Sequence, residues 1–153
     1  KTFLERIRPW MDSGDILYYE KATQKELALI YQRCDMFVFT SNYEIFGMVL
    51  LESMFFGLPV ISSMNGGASV LIQDGVNGYI MDCFDIEKWV EKIMLLVKNQ
   101  SQCAEMGKKA HETIEKHFLW ERLVDQILNA YDEAEKQYDL FQQEKSLGKE
   151  KKK

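Results

Sequence analysis

Between Met36 and Ser62 the chain runs through an apolar stretch, a polar loop, a glycine, a second apolar stretch and a Gly-x-Pro stop, an order that leaves few folds open. Met36-Phe37-Val38-Phe39 is short, apolar and bounded by polar residues, which is the pattern of a strand buried on both faces of a parallel sheet. Gly47 to Phe56 reads as a helix stopped by Gly57 and Pro59, and Val60-Ile61-Ser62 resumes the sheet. A strand, a loop and a helix N-terminus in that order present unpaired backbone N–H groups and the positive end of the helix dipole at the carboxyl edge of the sheet. That geometry binds phosphate.

Two carboxylates flank this glycine. The segment Gly47 to Phe56 is apolar on nearly every face and contains one charge, Glu52, so a buried helix is expected. A carboxylate taken out of water without a partner costs several kcal/mol, so Glu52 needs a hydrogen-bonding partner or a solvated cleft. A ligand hydroxyl would serve, as would a buried Arg or a neighbouring loop that the carboxylate caps. Glu44 has similar alternatives: Ser41-x-x-Glu44 has the form of a capping box, and Glu44 also lies near the positive end of the expected helix.

The remaining chain alternates strand and helix before turning helical. Ile16-Leu17-Tyr18-Tyr19 is strand-like, and Thr23-Gln24-Lys25-Glu26 is a capping box opening a helix from Leu27 to Arg33. A brief turn near Ser69 to Gln73 leads to a short strand at Tyr79 to Met81, and Asp85 reads as an N-cap. Ile86, Trp89, Val90, Ile93 and Leu96 follow helical spacing. Cys103, Met106, Ala110 and Ile114 do so after a break at Asn99-Gln100-Ser101, and a last helix starts near Trp120. The expected fold is α/β, a Rossmann-like parallel sheet with flanking helices and a helical C-terminal segment, with its site at the switch point.

The run from Met36 to about Tyr79 resembles the C-terminal domain of retaining glycosyltransferases of the GT-B fold, the group 1 family that includes glycogen synthase and sucrose synthase. The residues that carry the resemblance are Glu44, Phe46-Gly47, Glu52 after seven intervening residues, and Gly57-Leu58-Pro59-Val60. Asn65-Gly66-Gly67, Asp74-Gly75-Val76-Asn77-Gly78-Tyr79 and His117-Phe118-Leu119-Trp120 continue the family pattern in register. The resemblance implies a nucleotide-diphosphate sugar as donor substrate and no cofactor; no metal is expected, because neither the histidines nor Asp82-Cys83-Phe84-Asp85 has the arrangement of a metal site. The resemblance also implies that Glu44 serves catalysis by holding hydroxyls of the donor sugar, and that Glu52 holds the ribose. Phe46, Gly47, Met48, Val49, Gly66 and Gly67 would complete the donor site, with the N–H groups of Met48 and Val49 facing the diphosphate and the glycine pair letting backbone approach the donor. The loop after Tyr19 is a further candidate for base contacts.

Two departures from the family pattern bear on these expectations. Val70 stands where the pattern most often has an acid, which bears on the rigidity of the loop and on sugar preference. At 153 residues the chain is also shorter than a two-domain GT-B enzyme. Lys1 to Trp10 resembles the helix that follows the second strand, so a fragment is expected, lacking two strands and the Arg/Lys pair that neutralises the diphosphate, and inactive by itself. Arg6, Arg8 and Lys21 read as solvated surface charges. The expected organisation is a truncated Rossmann-like nucleotide-sugar-binding domain over 1–118, a C-terminal helix over 119–140 and a charged, disordered tail over 141–153.

Composition narrows the partners. A formal net charge of -5 argues against nucleic acid. No apolar run approaches the roughly 20 residues of a membrane span, although the lysine-rich end leaves peripheral membrane contact open for the full enzyme. Cys34, Cys83 and Cys103 are odd in number and fit reduced thiols in a cytoplasm. His111 and His117 read as helix-surface histidines rather than metal ligands. The expected function is transfer of a sugar to an acceptor glycan or lipid-linked sugar, held by the missing N-terminal domain, in cell-surface polysaccharide or glycoconjugate synthesis. Two alternatives stay open, a nucleotide-sugar epimerase of the same fold and a non-catalytic nucleotide-sugar-binding or partner-binding subunit.

Overall fold

A computed structural model describes residues 2–150, with side chains through residue 141. The chain divides into two compact units, Lys1–Cys34 and Asp35–Lys153. The division falls inside the span expected to form one domain.

The first unit contains helices α1 (Phe3–Asp12) and α2 (Gln24–Tyr31). Each opens on a capping box, in which a threonine side chain accepts the N3 amide and the N3 glutamate returns a carboxylate to the threonine N–H: Thr2 with Glu5, and Thr23 with Glu26. The strand expected at Ile16 to Tyr19 does not form. Ile16 donates its N–H to the carbonyl of Trp10 at 2.9 Å, Leu17, Tyr18 and Tyr19 are exposed, and no strand pairs with them among the described residues. Apolar composition alone does not make a strand; a ladder partner does.

The second unit is built on three parallel strands in the order β1 (Phe37–Phe39), β2 (Val60–Ser63) and β3 (Gly78–Met81). Every residue of β2 is buried, and its side chains alternate between two cores. Val60 faces Leu50, Met54, Ala68, Leu71, Ala110 and Ile114, contributed by α3 (Met48–Phe55), α4 (Gly66–Leu71) and α6 (Gln100–His117). Ile61 faces Tyr79, Met81, Trp89, Leu96, Cys103 and Met106, which come from β3, α5 (Ile86–Lys98) and α6. Asp85 caps α5 as expected: its carboxylate accepts the Lys88 amide, and the Lys88 ammonium at 3.0 Å helps hold that carboxyl below the usual range.

Three expectations need correction. The segment from Ser69 to Gln73 is not simply a turn, because α4 spans Gly66–Leu71. The Asn65 side chain accepts the Ala68 amide at 2.8 Å, and this cap turns a Gly-Gly pair that reads as a bend into a helix start. α3 is not buried all round: Leu50, Ser53 and Met54 face the core, Glu52 is half-buried, and Met48 and Phe55 are exposed. The last helix, α7 (Trp120–Glu150), continues ten residues past its expected end at 140. Residues 151–153 lie outside the described residues.

The thiols give a first prediction. Cys34 is exposed, Cys83 half-buried and Cys103 buried, with its Sγ–H donating to the Asp35 carbonyl at 3.2 Å. Burial, with Asp35 adding to it, pushes the Cys103 thiol up, so its thiolate is scarce at neutral pH. Iodoacetamide followed by intact mass is expected to modify Cys34 first, Cys83 more slowly and Cys103 only after denaturation. Early loss of the Cys103 thiol would contradict this packing.

Candidate donor-binding site

The loop between β1 and α3 is held by its own carboxylate. Glu44 Oε1 accepts the N–H of Ile45 at 3.2 Å and that of Gly47 at 3.3 Å. The capping box suggested by Ser41-x-x-Glu44 is therefore not made; Ser41 Oγ donates instead to the Tyr43 carbonyl. This geometry leaves Oε2 of Glu44 without a hydrogen bond among the described residues.

Gly47 then turns the chain into α3 at φ +75, the left-handed region that L side chains rarely adopt, and it offers no side-chain cap. Its carbonyl accepts the Leu50 and Leu51 amides, which starts the helix. The N–H groups of Met48 and Val49 find no acceptor among the described residues and lie at the positive end of the helix. Met48 is exposed beside them, and Glu52 sits about one turn further along α3.

A second loop closes on the first. Gly66 N–H donates to the Glu44 carbonyl at 3.0 Å. A methyl group on Gly66 would lie 2.6 Å from the Ile45 oxygen, and one on Gly67 only 1.8 Å from the Phe46 oxygen. The glycine pair is thus required by backbone-to-backbone contact between the two loops. Phe46 contributes its carbonyl to this contact, while its ring joins the core beside Phe118, with centroids 6.3 Å apart.

Asn65 locks the junction. It is 8% exposed, and its Nδ2 donates to the carbonyls of Ser41 and Ser63, each at 3.0 Å, while Oδ1 caps α4. Ser63 Oγ also donates to the Ser41 carbonyl. The sequence reading did not place Asn65 in the site, although an Asn directly before a helix is an N-cap signal. Val70, where the family pattern has an acid, is exposed on α4.

The structure therefore brings Glu44, Phe46, Gly47, Gly66 and Gly67 into one backbone cradle, with Met48, Val49 and Glu52 on the helix that leaves it. Beside it, at the carboxyl ends of the strands, opens a cleft of about 340 Å³ lined by Asn42, Met64, Asp82, Cys83 and Phe84. This is the edge at which parallel α/β sheets receive ligands. From Cys34 to Glu87 the sequence contains no Lys, Arg or His, so an anion in the cradle draws on backbone dipoles from this stretch and not on side-chain cations. Among the described residues no group of three or more His, Cys, Asp and Glu is spaced to hold a metal.

The family model described as glycosyl transferases group 1 matches residues 13–113. Spore coat protein SA of Bacillus subtilis is 30% identical over 124 residues, which cover 80% of this chain and 33% of that protein. N-acetyl-alpha-D-glucosaminyl L-malate synthase of Bacillus anthracis is 28% identical over 145 residues, covering 95% of this chain and 36% of that protein. Among solved structures, a S. aureus TarM mutant in complex with Fondaparinux, alpha-GlcNAc-glycerol and UDP aligns with a TM-score of 0.69 at 26% identity, covering 84% of this chain and 27% of that one. The chain spans about a third of the length of these curated relatives.

Proposed function

The chain belongs to the group 1 glycosyl transferases, and we propose that residues 41–67 are the donor cradle of a retaining enzyme that transfers a sugar from a nucleotide diphosphate to an acceptor. The observation that carries this reading is the start of α3: a left-handed glycine, two open N–H groups at a helix N-terminus, and a carboxylate on either side. The UDP complex of the TarM mutant supports a nucleoside diphosphate as the group bound.

The chemistry assigns a task to each part. Breaking the bond between sugar C1 and the phosphate oxygen builds negative charge on the leaving diphosphate. The N–H groups of Met48 and Val49 stabilise that charge more in the transition state than in the ground state. Glu44, with Oε1 held by two amides, turns Oε2 toward sugar hydroxyls, and Glu52 accepts the vicinal hydroxyls of the ribose. In a front-face displacement the acceptor oxygen bonds to C1 on the side from which the diphosphate departs, and the acceptor proton passes to a diphosphate oxygen. An acceptor glycan or lipid-linked sugar approaches from a part of the enzyme outside this chain. We place the reaction in cell-surface glycoconjugate synthesis in the cytoplasm, in line with three free thiols.

Because the relatives are about three times longer, binding is the proper test of this chain. Titration calorimetry with UDP, GDP and ADP is expected to show one nucleotide preferred. Glu52→Ala is expected to weaken that nucleotide by about 10- to 100-fold, the worth of hydrogen bonds to a charged group. Equal affinity in the variant would remove the ribose role from Glu52.

A further inference from the structure

We propose that His111 is a positioning residue for the donor site, acting through the C-terminus of α3. α3 ends in a Schellman motif: Leu58 N–H donates to the Ser53 carbonyl at 3.1 Å and Gly57 N–H to the Met54 carbonyl at 2.9 Å. Phe56 N–H takes the Glu52 carbonyl. Of the helix's last four carbonyls this leaves Phe55, whose oxygen meets Nδ1 of His111 on α6. A carbonyl only accepts, so this bond is made by the tautomer that carries its proton on Nδ1. Nε2 lies 3.4 Å from Glu115, on the same helix, and the imidazole ring packs 5.6 Å from the Phe55 ring.

One turn earlier on α6, Gly107 supports the same end. A methyl group there would come within 2.1 Å of the Gly57 carbonyl oxygen, so the two backbones touch. Gly107 brings α6 close to α3 and His111 fixes α3 in azimuth and tilt through a directional bond. His111 is the helix-surface histidine that the sequence suggested, 37% exposed at its side chain, and from that surface its ring nitrogen reaches a helix-terminal carbonyl.

The consequence is felt at the opposite end of α3. A helix of eight residues is about 12 Å long, so a tilt of about 5° moves its first turn by about 1 Å. Met48 and Val49 lie at the far end of that lever and Glu52 part of the way along it, and displacements of about 1 Å are enough to spoil a binding geometry. This inference rests on the donor-site reading above.

The test compares wild type with His111→Phe, which keeps the ring and removes the donor, and His111→Asn, which restores an N–H near the Nδ1 position. Amide spectra of each protein are recorded with UDP, GDP and ADP. His111→Phe is expected to shift the Met48, Val49 and Glu52 amides in the free protein and to weaken the preferred nucleotide about fivefold, and His111→Asn to recover both. Binding by the Phe variant equal to wild type, or an Asn variant as weak as the Phe variant, would overturn the inference while leaving the donor site intact. A wild type that binds none of the three would overturn the donor-site reading and this inference with it.

Discussion

Gly67→Ala is expected to abolish nucleotide binding and to cost about 3 kcal/mol of stability, the upper part of the range for forced overpacking. The added methyl would stand 1.8 Å from the Phe46 oxygen, 2.4 Å from its carbonyl carbon and 3.1 Å from the Gly47 nitrogen. All three are backbone atoms, so no side-chain rotation relieves the clash. The loop itself must retreat by more than 1 Å, carrying with it the Gly47 turn, the Glu44 carboxylate bound to it and the first amides of α3. Gly75→Ala is the matched control. Nothing lies within 4 Å of its added methyl, so it carries only the backbone strain of φ +74, about 1 to 2 kcal/mol. Chemical denaturation of both variants, with nucleotide titration of each, checks the contrast. A Gly67→Ala protein that binds like wild type would show that the two loops do not define the cradle.

Asn65→Asp is the second large effect, and it comes from changing one atom. In the native chain Nδ2 donates to the Ser41 and Ser63 carbonyls and approaches Ser62 Oγ at 3.3 Å. Aspartate sets an oxygen there, so a buried carboxylate faces two carbonyl oxygens, at a cost of about 3 kcal/mol or more. The pH dependence follows from linkage. Burial and acceptor neighbours favour the protonated acid, so the introduced carboxyl has a folded-state pKa above its unfolded value. Its contribution is most favourable below the unfolded pKa and is lost as pH rises through the folded one. Urea melts of Asn65→Asp are therefore expected to show a smaller deficit against wild type at about pH 4 than at pH 7. A deficit that stays constant with pH would contradict the assigned donor role of Nδ2.

The features legible in the sequence were those carried by local chemistry. Thr23 and Glu26 announced a capping box, Asp85 a cap, and Gly47 and Gly57 the two ends of one helix, because each signal acts within a few residues of itself. The strand at Ile16 to Tyr19 failed for the opposite reason: an apolar run says nothing of whether a neighbour supplies a ladder. The start of α4 was hidden because Gly66 and Gly67 look like a turn, and only the approach of the Glu44, Ile45 and Phe46 backbone, about twenty residues away, explains why both must be glycine. His111 was unreadable on similar grounds. Its partner is a backbone carbonyl on another helix, and a carbonyl leaves no trace in side-chain identity. The proposed site residues were named through the family resemblance, and the contacts that hold them in place came only with the fold.

The measurement to make first is a two-dimensional amide titration of this protein with UDP, GDP and ADP, assigned residue by residue. The account predicts that one nucleotide shifts the amides of Gly47, Met48, Val49 and Glu52 most, with Gly66 and Gly67 following because their backbone is joined to the same loop. Saturating nucleotide that leaves these amides unmoved, or that shifts only residues remote from the carboxyl edge of the sheet, would contradict it.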